Sequence, residues 1–144
     1  MAIDARVLKI LQKRLGYTDE EMQEFKDNPR NEDVLAKSSA LMSKTIILEV
    51  VESHGCNSGH KVGDRFYFDG AGNLLTQLCP QRVCAYSLSS ALMMIFTANE
   101  MIYAGVDPNA IRFKRASCFD VGLQCGGWGR IVLELRVEDR APNV

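Results

Sequence analysis

Along the first 43 residues, hydrophobic positions recur at helical spacing. Ile3, Val7, Leu8, Leu11 and Leu15 form one stripe, and Gly16 supplies a stop. Thr18 is placed to cap a second helix, with Glu21 at the capping-box position and Met22 and Phe25 as its apolar stripe. Asn28, preceding Pro29, is biased out of the helical region and ends that helix. Asn31 is expected to cap a third helix, with Val34, Leu35, Leu41 and Met42 on one side. This arm is too polar to hold a core of its own. Its stripes are expected to pack on the rest of the chain or on another subunit.

From Lys44 the period changes to alternation. In "TIILEVVES", Ile46, Leu48 and Val50 share a face and β-branched residues dominate, which predicts a strand. "RFYF" predicts a second strand with Phe66 and Phe68 on one face, followed by a turn at "DGAGN". "SLSSALMMIFTANEMIYAG" is apolar on nearly all sides and predicts a buried helix, capped by Ser87 or Ser89 and ended by Gly105. "IRFKR" and "RIVLELRVED" predict the last two strands. In the latter, Ile131, Leu133, Leu135 and Val137 alternate with Arg130, Glu134, Arg136 and Glu138, the pattern of a sheet with one wet face. The fold class is therefore α+β: a helical arm, residues 1–43, followed by one compact core, residues 44–144. In that core a mostly antiparallel four-stranded sheet, in ββαββ order, packs on one buried helix.

Composition sharpens this picture at two points. Hydrophobic residues make up 47% of 144, enough for an ordered globule with a sizeable core. Seventeen basic against eighteen acidic residues leave a net charge of −1, which gives no long-range pull toward nucleic acid or an anionic membrane. No apolar run approaches the roughly 20 residues of a membrane span. The N-terminus lacks the pattern of a secretory signal, and the expected location is cytoplasmic. Dinucleotide, Walker A, nucleophile-elbow and H-E-x-x-H motifs are absent, as is any C-x2-C pair.

Chemistry, if present, should sit with the thiols. There are five cysteines, at 56, 79, 84, 118 and 125, and an odd count in a reducing compartment argues against a disulfide framework. The stretch "HGCNSGHKVGDRFYF" holds both histidines, giving His54-x-Cys56 and Cys56-x3-His60. Thiolate and imidazole suit zinc and other borderline metals, and ligation would restrain a glycine-rich loop. The competing reading has His60 bonded to a backbone carbonyl and Cys56 packed, with Gly63-Asp64 as turn chemistry. Cys79-x4-Cys84 lies just before the apolar helix, whose N–H groups would lower the pKa of Cys84. Cys118-x6-Cys125 spans a loop with the glycines of "CGGWG", where Trp128 is expected to cap the core rather than wall a pocket. The three loops are expected to meet at one end of the sheet.

The pattern Cys56-x2-Gly59-His60-Lys61-Val62-Gly63-Asp64-x-Phe66, followed by a cysteine near a helix start and a later one, resembles a family of small uncharacterised bacterial and archaeal proteins. The resemblance covers roughly residues 44 to 138, with Cys79 or Cys84 as the middle cysteine and Cys118 as the later one. It implies a location for a site and no activity.

Three functions are expected in order. The first is a metal- or cluster-binding accessory or redox domain with Cys56, His60, Cys84 and Cys118 as ligands and Cys79, Cys125 and His54 as alternates. Zinc suits the mixed set; an iron–sulfur cluster would favour four thiolates. The second is a metal-free enzyme or ligand-binding protein, with Cys84 or Cys118 as nucleophile, His60 as base and "CGGWG" N–H groups as oxyanion donors. The third is an oligomeric scaffold, in which the N-terminal helices bind a second copy or a partner subunit.

Overall fold

The structure is a computed structural model that describes residues 4–141, so Ile3, at the start of the expected stripe, lies outside the described residues. The chain divides into two compact units, Met1–Ser39 and Ala40–Val144.

The first unit is helical. Helix α1 (Ala5–Leu15) starts where the Asp4 carboxylate accepts from Arg6 N at 2.8 Å and stops where Gly16 takes a left-handed φ of +73°. Helix α2 (Asp19–Asp27) carries the expected capping box: Thr18 accepts from Glu21 N, and the Glu21 carboxylate accepts from Thr18 N. Helix α3 (Pro29–Met42) begins two residues before the expected cap. Proline at the first helical position has φ preset and no N–H to lose, and the Asn28 side chain accepts from Arg30 N at 3.1 Å. Asn31 instead donates to the Phe25 carbonyl at 2.9 Å, tying α3 to α2.

The last residues of α3 belong to the second unit, which moves the expected boundary from 43/44 to 39/40. The cause is Leu41, which is buried in the core of that unit. A Cβ on Gly70 would fall on the Leu41 carbonyl, so the two backbones pack directly.

The second unit is the α+β fold. Strands β1 (Lys44–His54), β2 (Arg65–Asp69), β3 (Arg115–Ser117) and β4 (Arg130–Asp139) form an antiparallel sheet in the order β2-β1-β4-β3. Leu48 stands opposite Phe66 on one side and Leu135 on the other, so the alternating apolar sets share one face. That face carries Ile46, Leu48, Val50, Phe66, Phe68, Ile131, Leu133, Leu135 and Val137, all buried. Helix α4 (Ala85–Tyr103) covers it with Ala91, Met94, Ile95, Ala98 and Ile102. Each large apolar side chain so buried contributes about 1.5–3 kcal/mol. The opposite face bears charge pairs, among them Arg65–Glu49 at 2.8 Å and Arg115–Glu134 at 2.6 Å.

Three expectations are corrected here. Helix α4 is not buried all round: Leu92, Met93 and Phe96 are 66%, 65% and 58% exposed. One sheet offers one apolar layer, and a helix resting on it hides only the stripe that faces it. The cap of α4 is Cys84, neither Ser87 nor Ser89; both serines bond back to carbonyls of the first turn. The third strand is also shorter and later than "IRFKR". The Asn109 side chain pairs with both N and O of Val137 at 2.9 Å, occupying the β4 edge where that strand would run. Phe113 is consequently exposed, under the Arg112 guanidinium at 4.5 Å. Among the described residues, no helix is long and apolar enough to cross a membrane.

Candidate functional site

At one end of the sheet β1 finishes, β4 begins opposite it (His54 facing Arg130), and α4 starts. A β-bulge between Val50 and Glu52 puts one extra residue into β1 just before this end, a device that bends a strand and re-aims the residues beyond it. The β1–β2 loop is held by its own bonds. Ser53 Oγ donates to the His60 carbonyl at 2.6 Å, Gly63 N donates to Val50 O, and Asp64 accepts from Lys61 N. The loop therefore has the restraint that a metal was expected to supply. Gly63 takes φ +94°, as its turn requires.

The three loops line one cleft of about 510 Å³, with Cys56, Cys84, Cys118 and Cys125 in its wall. The four thiols differ in state. Cys118 is buried; its Sγ donates to the Asp120 carbonyl at 2.9 Å and accepts from Ile131 N at 3.3 Å, so it serves the start of β4. Cys56 is half-buried and packs against the core. Cys125 is exposed at the end of a single 3-10 turn, Leu123–Cys125.

Cys84 is half-buried at the N-cap of α4, 19 residues long. Burial pushes its thiol up, but the Ser58 hydroxyl and the N–H groups of Ser87 and Tyr86 outweigh that and leave its pKa below the ordinary thiol value, against the opposing charge of Asp120. Its side chain closes no capping hydrogen bond, so the amides act as the positive end of the helix rather than as fixed donors.

Asp120 organises the β3–β4 loop. Its carboxylate accepts from Gly122 N at 3.0 Å, from Trp128 N at 3.1 Å and from Gly129 N at 3.3 Å. The N–H groups of Gly122 and Trp128 in particular hold its pKa below the usual aspartate value. A Cβ on Gly127 would strike this carboxylate, and one on Gly129 would strike the Gly55 carbonyl, which accounts for both glycines. The remaining amides of "CGGWG" are engaged too: Cys125 and Gly127 bond Gly122 O, and Gly126 bonds Leu123 O. The expected oxyanion donors are thus already committed to the loop.

The other expected residues lie elsewhere. His60 does not line the cleft. It is buried, packed edge-on to Phe66 at 5.1 Å, with Nδ1 3.8 Å from Asp64 and Nε2 without a hydrogen-bond partner. Neither a base role at Cys84 nor the expected carbonyl bond is formed. His54 is exposed at the end of β1. Cys79 serves the outer edge of β2: its Sγ accepts from Tyr67 N and donates to Leu75 O, both at 3.3 Å, and burial raises its pKa although the Tyr67 amide opposes this. Cys84 rather than Cys79 therefore joins Cys56 and Cys118. Among the described residues no three His, Cys, Asp or Glu side chains converge closely enough to hold a metal ion.

Residues that the sequence pattern does not single out complete the wall. Ser58, Asp120, Tyr86 and Phe119 line the cleft, and Trp128, expected in the core, lines it too and is 75% exposed. With the loop amides drawn to Asp120, the chain at 128 passes over the surface and the core is closed by Ile131 instead. The one available signal was Asp120-x-Gly122, an Asx-turn pattern. No protein-family model, no curated protein and no solved structure matches the chain.

Proposed function

We propose that the chain acts by thiol chemistry on a small molecule held in this cleft, with Cys84 as the nucleophile. The observation that carries the reading is the setting of Cys84, partly exposed at a helix N-terminus beside the Ser58 hydroxyl, with its pKa lowered. A lowered thiol pKa raises the thiolate fraction and lessens the need for a partner base, which fits the absence of His60 from the cleft wall. The cleft falls within the roughly 300–1,000 Å³ of small-molecule sites. The test is limiting iodoacetamide at neutral pH, followed by peptide mapping. The first label is expected on Cys84, ahead of the more exposed Cys125; labelling of Cys125 first would overturn the reading.

A second reading is a zinc or iron–sulfur site, favoured by the gathering of four of the five cysteines in one wall. The set Cys56, Cys84, Cys118 and Cys125 suits it better than one containing His60. As placed, these side chains do not form such a site, and the β3–β4 loop would have to move. Anaerobic purification with elemental analysis decides it: about one equivalent of metal, lost in Cys84→Ser, supports this reading, and less than about a tenth sinks it. The arm is proposed to carry the contact to a second copy or a partner subunit, because α1 exposes Val7, Ile10 and Leu15 and buries no residue. Ile10→Glu should then lower the native mass.

A further inference from the structure

The polar groups of the β3–β4 loop are turned inward. The Asp120 carboxylate is filled by backbone N–H groups, and Cys118 is bonded on both sides. Besides Cys84 and the polar side chains of Asn57, Ser58 and Arg130, the cleft offers a visitor aromatic surface. Tyr86, Phe119 and Trp128 line it and are 60%, 76% and 75% exposed. Uncovered rings gathered in one concave place mark a binding site more often than a structural need.

The rings stand on fixed backbone. Phe119 N donates to the Tyr86 carbonyl at 3.1 Å, so the loop is pinned to the first turn of α4, and the two rings lie 6.1 Å apart at 43°. Trp128 N is held by both Asp120 oxygens at 3.1 Å. Gly129 behind it is pressed against the backbone of Gly55. The ordering cost of the backbone that carries this aromatic wall is therefore met by the fold, before any ligand arrives.

We infer that the ligand is a flat, conjugated or aromatic electrophile that stacks on Tyr86, Phe119 and Trp128 and presents its electrophilic carbon to Cys84. This rests on the thiol reading of the cleft. Conjugate addition needs no further reagent. A sulfur lone pair of the Cys84 thiolate forms the carbon–sulfur bond, the carbon–carbon π pair moves toward the carbonyl oxygen to give an enolate, and water protonates the α-carbon, the hydroxide left being neutralised by the proton the thiol released. Asn57, Ser58 and Arg130 also line the cleft and can meet the polar atoms of such a ligand, while ring stacking sets the preference for a flat one.

The test compares two probes on the full chain, an aryl enone and methyl vinyl ketone. Each rate of adduct formation at Cys84, followed by intact mass and peptide mapping, is divided by the rate with free cysteine. Reading the ratio of the two normalised rates cancels any general change in thiol reactivity. A preference for the aryl probe of about tenfold is expected, falling roughly threefold in each of Phe119→Leu and Trp128→Leu, which keep apolar bulk without the ring. Equal normalised rates in the wild type, or a preference untouched by both leucine variants, would overturn the inference and leave the thiol reading standing. A Cys84 no faster than free cysteine toward methyl vinyl ketone at neutral pH would overturn the thiol reading and the inference with it.

Discussion

Gly129→Ala puts the architecture of the cleft to a quantitative test. Gly129 is not among the positive-φ glycines, so alanine meets no backbone penalty there. Its cost is contact alone: the added Cβ would fall on the Gly55 carbonyl and close to His54 O, both backbone atoms that no rotamer change can move aside. Relief requires the end of β1 to part from the start of β4, loosening the pairs His54–Arg130 and Ser53–Ile131. Overpacking of this kind costs about 1–3 kcal/mol. For a unit of roughly 100 residues that lowers Tm by about 4–8 °C per kcal/mol, so a fall of roughly 5–20 °C is expected. Gly63→Ala is the matched control. It has open space around its Cβ but φ +94°, and should lose about 1–2 kcal/mol through the backbone alone, with the cleft unaltered. Calorimetry gives the two Tm values, and alkylation of Cys84 reports the cleft. A Gly129→Ala protein that melts within about 1 °C of wild type, or one that loses no more than Gly63→Ala and keeps the wild-type labelling rate, would refute the close packing of these loops.

Neighbours on α4 should behave oppositely: Ile95→Ala, in the core, should cost about 2–5 kcal/mol by chemical denaturation, while Phe96→Ala, 58% exposed, should change stability by less than about 0.5 kcal/mol. The depressed pKa of Asp120 makes its contribution to stability present above the ordinary aspartate pKa and lost as pH falls through the lower folded value. Asp120→Asn should remove that part of the acid dependence of Tm, and an unchanged acid limb would count against the loop geometry. Cys79→Ala should destabilise the protein without changing the labelling of Cys84, because Cys79 bonds the β2 edge outside the cleft.

The sheet was legible because Ile131, Leu133, Leu135 and Val137 alternate strictly and one face is buried, which leaves a single workable register. The capping box at Thr18 and Glu21 and the stop at Gly16 are local signals and formed as expected. The starts of α3 and α4 were misplaced by local capping choices, whereas the larger misreadings depended on a partner farther along the chain. Asn109 blocks the β4 edge from 28 residues away, and composition alone could not reveal it. The apolar circumference of α4 announces burial, yet burial depends on how many layers surround it. At the site, clustering of thiols pointed to the loops that line the cleft, and the helix start pointed to Cys84 as the candidate thiolate. Trp128 and Asp120 were misjudged or missed because a carboxylate that gathers amides across the loop, eight residues away from Trp128, leaves no periodic trace. His60 was grouped with Cys56 by spacing alone, whereas its ring packs with Phe66 and leaves the cleft to the thiols.

The most direct test of the central claim is the pH dependence of alkylation, resolved by cysteine, in wild type and Ser58→Ala. The Cys84 profile should have its midpoint below the ordinary thiol value and the Cys79 profile above it, matching the opposite directions of their shifts. Removal of the Ser58 hydroxyl should move the Cys84 midpoint upward and leave that of Cys79 in place. A Cys84 midpoint at or above the ordinary value, or one indifferent to Ser58, would contradict its role as the nucleophile of the cleft.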